Sequence, residues 1–227
     1  MVPRTKVLAF DVYGTLIDPL AIADVLRAYV EDQADRVAAL WRQKQVEYAF
    51  RRGLMRAYAD FDVCTRQALL FATESCGVTL MEEDHARLLN TYRQLPAYPD
   101  VAPALAALHE QGYQCVAFTN GVGPTVRALL DTAGLGTVIE DIISVDDERT
   151  FKPDPAVYHY LVRRVGGWAQ DIWLVSANSW DVIGAQAVGL RTAWVHRTPT
   201  TYFDPWGVTP DVEVGHLGEL LEKVRFI

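Results

Sequence analysis

Basic residues are scarce in this sequence. Lysine and arginine number 21 against 29 aspartates and glutamates, which gives a formal net charge of −8. Nucleic acids are bound through clusters of lysine and arginine, so this balance argues against nucleic acid as a partner. An anionic ligand must therefore be bound by a few local cations, because the overall field of the protein repels it.

Long apolar runs are also missing. No stretch approaches the roughly eighteen apolar residues that a membrane-spanning helix needs, so we expect no membrane partner. The apolar run near the N-terminus, Val7 to Phe10, ends at Asp11. Such a run is too short for the apolar segment of a signal peptide.

Cysteine is rare and histidine is scattered. The three cysteines, Cys64, Cys76 and Cys115, have no C-x-x-C spacing. We interpret them as reduced thiols and expect a cytoplasmic protein. The five histidines stand singly, without the spacing of metal ligands.

Alternating elements dominate the sequence after Ala97. Half of the residues are hydrophobic, and 227 residues are enough for one sizeable core, or for a core and a smaller inserted domain. We predict helices over Val101–Glu110, Pro124–Ala133, Pro155–Val165, Trp180–Val188 and Leu217–Val224. We predict strands over Val7–Phe10, Cys115–Phe118, Ile139–Val145, Ile172–Val175 and Thr192–Val195. This alternation indicates an α/β fold with a parallel sheet.

The segment between Pro19 and Ala97 has a different pattern. Apolar residues recur at helical spacing almost throughout, for example at Val37, Leu40 and Trp41, and no strand is evident. We predict a helical cap domain over residues 19–97, inserted into a core domain of residues 1–18 and 98–227. Ligands of open α/β sheets bind beyond the carboxyl ends of the strands, where such a cap closes over them.

Polar residues follow three of the predicted strands, and one more lies in the loop before the predicted helix at Pro155. They supply a carboxylate, hydroxyls, an amide and an ammonium: Asp11 and Thr15, Thr119 and Asn120, Lys152, and Ser176, Asn178 and Asp181. Taken singly, each has an ordinary structural explanation as a helix cap, a turn residue or a solvated charge. Taken together, at one edge of one sheet, they indicate an active site.

These motifs resemble those of the haloacid dehalogenase superfamily. The matching stretches are DVYGTL at Asp11, TNG at Thr119, KP at Lys152 and SANSWD at Ser176, arranged around a helical insertion. The resemblance covers essentially the whole chain and implies a Rossmann-like three-layer core. Within the cap, LWRQKQVEY from Leu40 to Tyr48 is similar to the L-2-haloacid dehalogenases.

Two positions decide against the Mg²⁺-dependent phosphatases of the superfamily. A phosphatase of this design places an acid two residues after the nucleophile, where this sequence has Tyr13, whose ordinary pKa is near 10. It also places a metal-binding Asp where this sequence has Ala177. Mg²⁺ prefers carboxylate and other oxygen ligands. We therefore expect no metal and no cofactor.

The resemblance implies hydrolysis of short L-2-haloalkanoates or haloacetates to 2-hydroxy acids, with inversion at C2. Asp11 attacks C2, expels the halide and forms an ester that water then hydrolyses. Lys152 keeps Asp11 ionised. The other implied catalytic residues orient the site or its water; they are Thr15, Arg42, Tyr158, Ser176, Asn178 and Asp181.

A second set of residues is implied to bind the substrate. Arg42 and Asn120 hold the halide, and the substrate carboxylate lies against Thr119, where these enzymes commonly have Ser. Backbone N–H groups near Val12 and Tyr13 add to that subsite. The wall of the alkyl pocket is implied to consist of Val46, Phe61 and Trp180.

Two other functions stay open at this point. One is a Mg²⁺-dependent phosphatase with degenerate motifs, and the other is a non-catalytic protein that binds small anions on the same fold. The resemblance also implies a homodimer. The preferred halogen, including fluoride, and the preferred chain length do not follow from the sequence.

Overall fold

A six-stranded parallel sheet is the framework of the protein in the computed structural model, which describes residues 6–224. The strands are β1 (Lys6–Phe10), β2 (Tyr113–Thr119), β3 (Asp141–Ser144), β4 (Ile172–Ser176), β5 (Arg191–Val195) and β6 (Val212–Val214). Their order across the sheet is β3-β2-β1-β4-β5-β6. All neighbours run parallel, so the predicted α/β fold is confirmed.

Strand β1 lies in the middle of the sheet. Leu8 is level with Cys115 of β2 on one side and with Trp173 of β4 on the other. Residues 7–10 are buried, as expected for a strand with neighbours on both sides and helices packed on its faces. Asp11 follows directly, so it leaves the sheet at its carboxyl edge, between the ends of β2 and β4.

The segment predicted to form the cap is helical. Its helices are α1 (Ile22–Val30), α2 (Ala34–Met55), α3 (Phe61–Ser75) and α4 (Glu82–Tyr92). We call residues 19–97 the cap and the rest of the described chain the core; the boundaries themselves stay a prediction. Within residues 6–224, no helix is both long enough and apolar enough to cross a membrane.

The chain passes between core and cap at two adjacent points. The N–H of Asp18 donates to the carbonyl oxygen of Pro96 at 3.0 Å, and the N–H of Tyr98 donates to that of Leu16 at 3.0 Å. The outgoing crossing begins in a tight turn after Asp11, where Gly14 has a φ of +94° that favours glycine. The turn that carries the Asp11 motif is thus also one of the two connections to the cap.

The core helices are α5 (Val101–Glu110), α6 (Gly123–Thr132), α7 (Pro155–Val165), α8 (Ser179–Gln186) and α9 (Leu220–Lys223). Strand β3 is shorter than the predicted Ile139–Val145, because the chain still forms a loop before Asp141 and enters a 3-10 turn at Val145. Two elements differ further from the prediction. The closing helix begins as a 3-10 turn over Leu217–Glu219, so only four residues of it are α-helical. Strand β6 was not predicted, because its three residues at the sheet edge are too few to show an alternating pattern.

Candidate active site

Asp11 lies at the carboxyl edge of the sheet with both side-chain oxygens bonded. Its Oδ1 is 3.2 Å from Lys152 Nζ, and its Oδ2 accepts hydrogen bonds from Thr15 Oγ1 at 2.9 Å and from Asn178 Nδ2 at 2.8 Å. Its N–H donates to the carbonyl oxygen of Val175 at 2.9 Å, which ties it to β4. Only 6% of the residue is exposed. Three donors therefore hold this carboxylate in one orientation.

Lys152 lies between two buried carboxylates and is itself fully buried. Besides Asp11, its Nζ donates to Asp181 Oδ2 at 2.9 Å and to the carbonyl oxygen of Phe118 at 2.8 Å. An ammonium has three N–H donors, and each has an acceptor here. A buried charge is tolerated when it is paired and fully hydrogen-bonded. This cation thus links the ends of strands β1 and β2 and the first turn of helix α8 into one network.

Asp181 forms the far end of this network, in the first turn of α8. Its Oδ1 accepts a hydrogen bond from the Tyr158 hydroxyl at 2.8 Å. Burial raises the pKa of Asp181 above its usual range, while the Lys152 ammonium opposes that rise. The close approach of Tyr158 requires a glycine at position 184, because a Cβ there would lie 2.5 Å from the tyrosine hydroxyl.

The loop after β4 is tied to the turn after β1. Thr15 Oγ1, which donates to Asp11, accepts from the N–H of Ala177 at 2.9 Å. The N–H of Asn178 donates to Ser176 Oγ at 3.1 Å. The hydroxyl of Ser176 therefore shapes the loop that presents the Asn178 amide to Asp11.

Arg42 reaches from cap helix α2 to the core. Its Nη2 donates to the carbonyl oxygen of Tyr13 at 2.8 Å, and its Nη1 donates to Gln45 Oε1 at 2.8 Å. The carbonyl oxygen of Tyr13 is also 3.3 Å from Asn178 Nδ2, a donor to Asp11. The Arg42 guanidinium and the Asp11 carboxylate are thus linked through two shared neighbours, the carbonyl oxygen of Tyr13 and the Asn178 amide.

Thr119 is the last residue of β2 and Asn120 follows it, beside this network; both are buried. Thr119 Oγ1 accepts from the N–H of Gly121 at 3.0 Å. Asn120 Oδ1 accepts from the N–H of Lys152 at 3.0 Å, which orients its NH₂ group away from that contact. Asn120 therefore has a fixed amide with two donors available for other partners.

Aromatic rings flank the turn after β1. The Phe61 ring of α3 is 5.7 Å from the Tyr13 ring and 6.2 Å from the Phe151 ring. Trp180 is half-buried and meets Phe50 of α2 edge-on at 5.0 Å. Rings from cap and core thus meet at this edge of the sheet.

Val12 and Val46 differ in how they relate to the site. Val12 is buried, and its carbonyl oxygen accepts from the N–H groups of Thr15, Leu16 and Ile17, so it organises the turn. Val46 is half-buried and lies four residues after Arg42 on α2, one helical turn away.

The Tyr13 side chain packs among other aromatic rings and is not suited to donate a proton. It stacks on Tyr92 of α4 with ring centroids 5.9 Å apart. Burial, with Tyr92 and Asp62 adding to it, raises the pKa of Tyr13 well above its usual value.

Within residues 6–224, no group of three or more His, Cys, Asp or Glu side chains is arranged to hold a metal ion.

Gln45 is a buried polar residue that the sequence reasoning missed. It is fully buried in α2 and bonded to Arg42, Thr65 and Tyr92. A glutamine in an amphipathic helix is usually placed on the exposed face. The available signal was its spacing, because residues three apart on a helix are neighbours.

The model of one protein family, the haloacid dehalogenase-like hydrolases, matches residues 5–189. The chain is 35% identical over 211 residues to haloacetate dehalogenase H-2 of Moraxella sp., which covers 93% of this chain and 94% of that protein. It is 34% identical over 211 residues to an (S)-2-haloacid dehalogenase of Pseudomonas fluorescens, covering 93% and 92%. Among solved structures, the L-2-haloacid dehalogenase of Xanthobacter autotrophicus with chloropropionic acid covalently bound superposes with a TM-score of 0.91. That match has 30% identity and covers 97% of this chain and 100% of the other.

Proposed function

Because the chain belongs to the haloacid dehalogenase-like hydrolases, we propose that it hydrolyses the carbon–halogen bond of short (S)-2-haloalkanoates or haloacetates. The product is a 2-hydroxy acid, and the configuration at C2 is inverted. The observation that carries the proposal is the arrangement of Asp11, whose carboxylate is held by Lys152, Thr15 and Asn178 at the edge of the sheet. The chain itself brings every group used, so the proposal includes no metal and no cofactor.

The first step is displacement at C2 by the Asp11 carboxylate. An oxygen of Asp11 forms a bond to C2 as the halide leaves with the bonding electron pair, which gives an ester. Attack from the side opposite the halide inverts C2. A halide needs no proton to depart, which agrees with Tyr13 standing where a phosphatase has its acid. Lys152 and the two neutral donors hold the carboxylate in one orientation for this attack.

The charges of the substrate and of the departing halide need partners from both parts of the protein. Arg42 of the cap and the NH₂ group of Asn120 donate hydrogen bonds to the halide. The Thr119 hydroxyl and the N–H groups near Val12 and Tyr13 bind the substrate carboxylate. The alkyl group packs against a wall supplied by Val46, Phe61 and Trp180.

The second step is hydrolysis of the ester by water. Water attacks the carbonyl carbon of the Asp11 ester and forms a tetrahedral intermediate whose oxygen is negative. The donors that hold Asp11 in the free enzyme lie where that charge develops, as an oxyanion site requires. Asp181, positioned by Tyr158 with Ser176 and Asn178 nearby, orients the water and takes its proton. The tetrahedral intermediate then breaks its bond to the C2 oxygen, and that oxygen takes the proton held by Asp181 as the 2-hydroxy acid leaves. The Asp11 carboxyl group that forms loses its proton to solvent, which returns the carboxylate.

Halide release in the presence of a chelator tests the reaction. L-2-chloropropionate is incubated with the protein and EDTA; chloride and D-lactate are expected in equal amounts. In ¹⁸O water, mass spectrometry is expected to find ¹⁸O in Asp11 after turnover, because water attacks the protein carbonyl. Asp11→Asn abolishes chloride release, whereas Asp18→Asn, which removes a helix-capping carboxylate seven residues away, retains it.

Two outcomes would replace the proposal. Absence of chloride, together with phosphate release from p-nitrophenyl phosphate when Mg²⁺ is added, would indicate a phosphatase. Absence of both reactions, with 2-hydroxypropionate bound equally by the wild type and Asp11→Asn, would indicate a non-catalytic anion-binding protein.

We further propose that the protein works as a homodimer in the cytoplasm. Leu54 and Met55, which are adjacent at the end of α2, are 87% and 71% exposed, so the cap presents two neighbouring apolar side chains that a second copy would cover. The three cysteines are free thiols, as the reducing cytoplasm maintains them. Light scattering after size-exclusion chromatography tests the dimer, and Leu54→Glu with Met55→Glu is expected to give a monomer.

A further inference from the structure

Gln45 is an uncharged polar side chain buried in the middle of the cap. It lies on α2, and none of its surface is exposed. A buried amide is costly unless its donors and acceptors are all bonded. The partners of this amide therefore indicate why the position is not apolar.

The carbonyl oxygen of the Gln45 side chain accepts two hydrogen bonds. One comes from Arg42 Nη1 at 2.8 Å, and the other comes from the Tyr92 hydroxyl at 3.0 Å. A carboxamide oxygen has two lone pairs, so both are used. A guanidinium has no acceptor, so the oxygen and not the NH₂ group must face Arg42.

The other end of the amide is also fixed. Gln45 Nε2 donates to Thr65 Oγ1 at 2.6 Å, and Thr65 Oγ1 donates in turn to the carbonyl oxygen of Phe61 at 2.7 Å. The single O–H donor of Thr65 is used in the hydrogen bond to the backbone, so its oxygen can only accept a hydrogen bond from Gln45. The direction of every bond from α3 to Arg42 is thereby set.

Arg42 is therefore held at two points that belong to different parts of the protein. Nη1 is held by Gln45 within the cap, and Nη2 is held by the carbonyl oxygen of Tyr13 in the core turn. These bonds fix the plane of the guanidinium. A long arginine side chain otherwise has many rotamers, and ordering it costs free energy.

We infer that Gln45 is the positioning residue for Arg42, and that it aims the guanidinium at the departing halide. The inference rests on the proposed function, in which Arg42 donates hydrogen bonds to that halide. It assigns Gln45 a role in carbon–halogen cleavage without contact with the substrate. Loss of the Gln45 amide leaves Arg42 present and charged but no longer held in the orientation that the leaving group needs.

The leaving group distinguishes this role from a merely structural one. Negative charge is more concentrated on a departing chloride than on a departing iodide, so chloride depends more on a well-placed donor. The test compares kcat/KM for L-2-chloropropionate and L-2-iodopropionate, since kcat/KM covers all steps through halide release. In Gln45→Met, the ratio of kcat/KM for the chloro substrate to that for the iodo substrate is expected to fall about tenfold. The Arg42 guanidinium is then still present but no longer correctly placed.

The matched control is Trp41→Phe. Trp41 is the neighbour of Arg42 on α2, is equally buried, and donates to the carbonyl oxygen of Thr65 at 2.8 Å. The substitution removes one buried hydrogen bond between α2 and α3 but keeps an aromatic ring against Tyr92, whose ring centre is 4.7 Å from that of Trp41. It removes no bond of the Gln45 or Arg42 side chain. The two substrates are expected to be affected equally, so the chloride-to-iodide ratio stays at the wild-type value.

A double-mutant cycle tests whether Gln45 acts through Arg42. In an Arg42→Leu background, Gln45→Met is expected to leave the chloride-to-iodide ratio unchanged, because there is no guanidinium left to aim. Thr65→Val, which preserves volume and removes the acceptor for Gln45 Nε2, is expected to lower the ratio about threefold in the wild-type background. This milder variant gives a result even if Gln45→Met does not fold.

Three outcomes would overturn the inference. They are equal loss of activity on both substrates in Gln45→Met and Thr65→Val, a changed ratio in Trp41→Phe, or a further fall in the Arg42→Leu background. Failure of the proposed function is recognised separately, because the wild-type protein would then release neither halide.

Discussion

The core and the cap hold their active-site charges in opposite ways. In the core, Lys152 and Asp181 are fully buried, and their partners are other residues at the carboxyl edge of the sheet. In the cap, Arg42 is only half-buried and is held by one amide of its own domain and one carbonyl oxygen of the core. The core charges therefore depend on one another to stay paired while buried, whereas the cap charge depends on how the cap lies against the core.

This difference follows from how each region brings residues together. Parallel strands all end at one edge of a sheet, so polar residues that follow neighbouring strands must meet. Side chains on separate helices meet only if the helices pack at one angle and register. The core thus forms its site by topology, and the cap forms its part by packing.

The largest effect is expected where the core network loses its central cation. Lys152→Met leaves Asp11 and Asp181 buried without a counter-charge, which should lower the free energy of unfolding by about 3–5 kcal/mol and abolish halide release. Urea unfolding at neutral pH and a chloride assay measure the two effects. The matched change in the cap, Arg42→Met, is expected to lower the free energy of unfolding by less than about 1 kcal/mol while halide release still falls sharply.

A second substitution separates the two roles of Lys152. Adding Asp181→Asn to Lys152→Met removes one of the unpaired charges and should restore part of the stability, but no activity. An unfolding free energy of Lys152→Met within about 1 kcal/mol of the wild type would contradict the view that this pair supports the fold.

The same difference explains what the sequence could predict. The sequence made three residues recognisable. Asp11 and Asp181 come after predicted strands, and Lys152 belongs to a Lys-Pro turn; strand topology then brings them together. The resemblance supplied Arg42, and the structure places its guanidinium on the turn after β1. The parallel sheet and the bounds of α5 and α7 were likewise evident from periodicity.

Residues whose role depends on packing between helices or between loops were not predictable. Gln45 lies three residues after Arg42, but its burial depends on Tyr92 and Thr65, which are 47 and 20 residues away. Arg197 is a second example. It donates to the carbonyl oxygen of Thr15 at 2.6 Å, across 182 residues, from a loop with no recognisable motif.

Arg197 and Asp100 form a clamp over the two crossings between core and cap. Arg197 Nη1 is 2.7 Å from Asp100 Oδ1 and Oδ2, and its guanidinium lies 4.3 Å from the centre of the Tyr98 ring. The N–H of Leu217 also donates to Asp100 Oδ2 at 2.7 Å. Burial opposes ionisation of Asp100, but the bonds from Leu217 and Arg197 outweigh it and lower its pKa.

The clamp predicts a moderate, pH-dependent effect on stability. Since the pKa of Asp100 is lower in the folded protein, the carboxylate stabilises the fold above its unfolded pKa, near 4. That contribution disappears as the pH falls through the folded value. Asp100→Asn should therefore lower the free energy of unfolding by about 1.5–3 kcal/mol at pH 7, and the difference should shrink on acidification. Urea unfolding from pH 7 to pH 3 measures it, and a constant difference over that range would contradict the assignment.

The smallest effect is expected at the contacts that join the two domains near the surface. Asp62 of α3 accepts from Thr125 of core helix α6 at 3.1 Å and from Arg93 of the cap at 2.9 Å. The Arg93 side chain is 53% exposed and that of Asp62 is 30% exposed, so this pair contributes little to folding. Of these two bonds, the one from Thr125 joins the cap to the core, as the bond from Arg42 to the carbonyl oxygen of Tyr13 also does.

Thr125→Val removes that crossing bond at nearly constant volume. We expect the free energy of unfolding to change by less than about 1 kcal/mol and KM for L-2-chloropropionate to rise about twofold, because part of the binding energy is then used to close the cap. The matched control is Arg93→Gln, which weakens the pair within the cap and leaves the crossing bond, so KM should stay at the wild-type value. If Arg93→Gln raises KM as much as Thr125→Val, the packing of α3 against α4 matters more than closure. The position of the cap would then not depend on the Thr125 bond. The contrast between charges paired within the core and a cap charge that needs a contact with the core would hold only for Arg42.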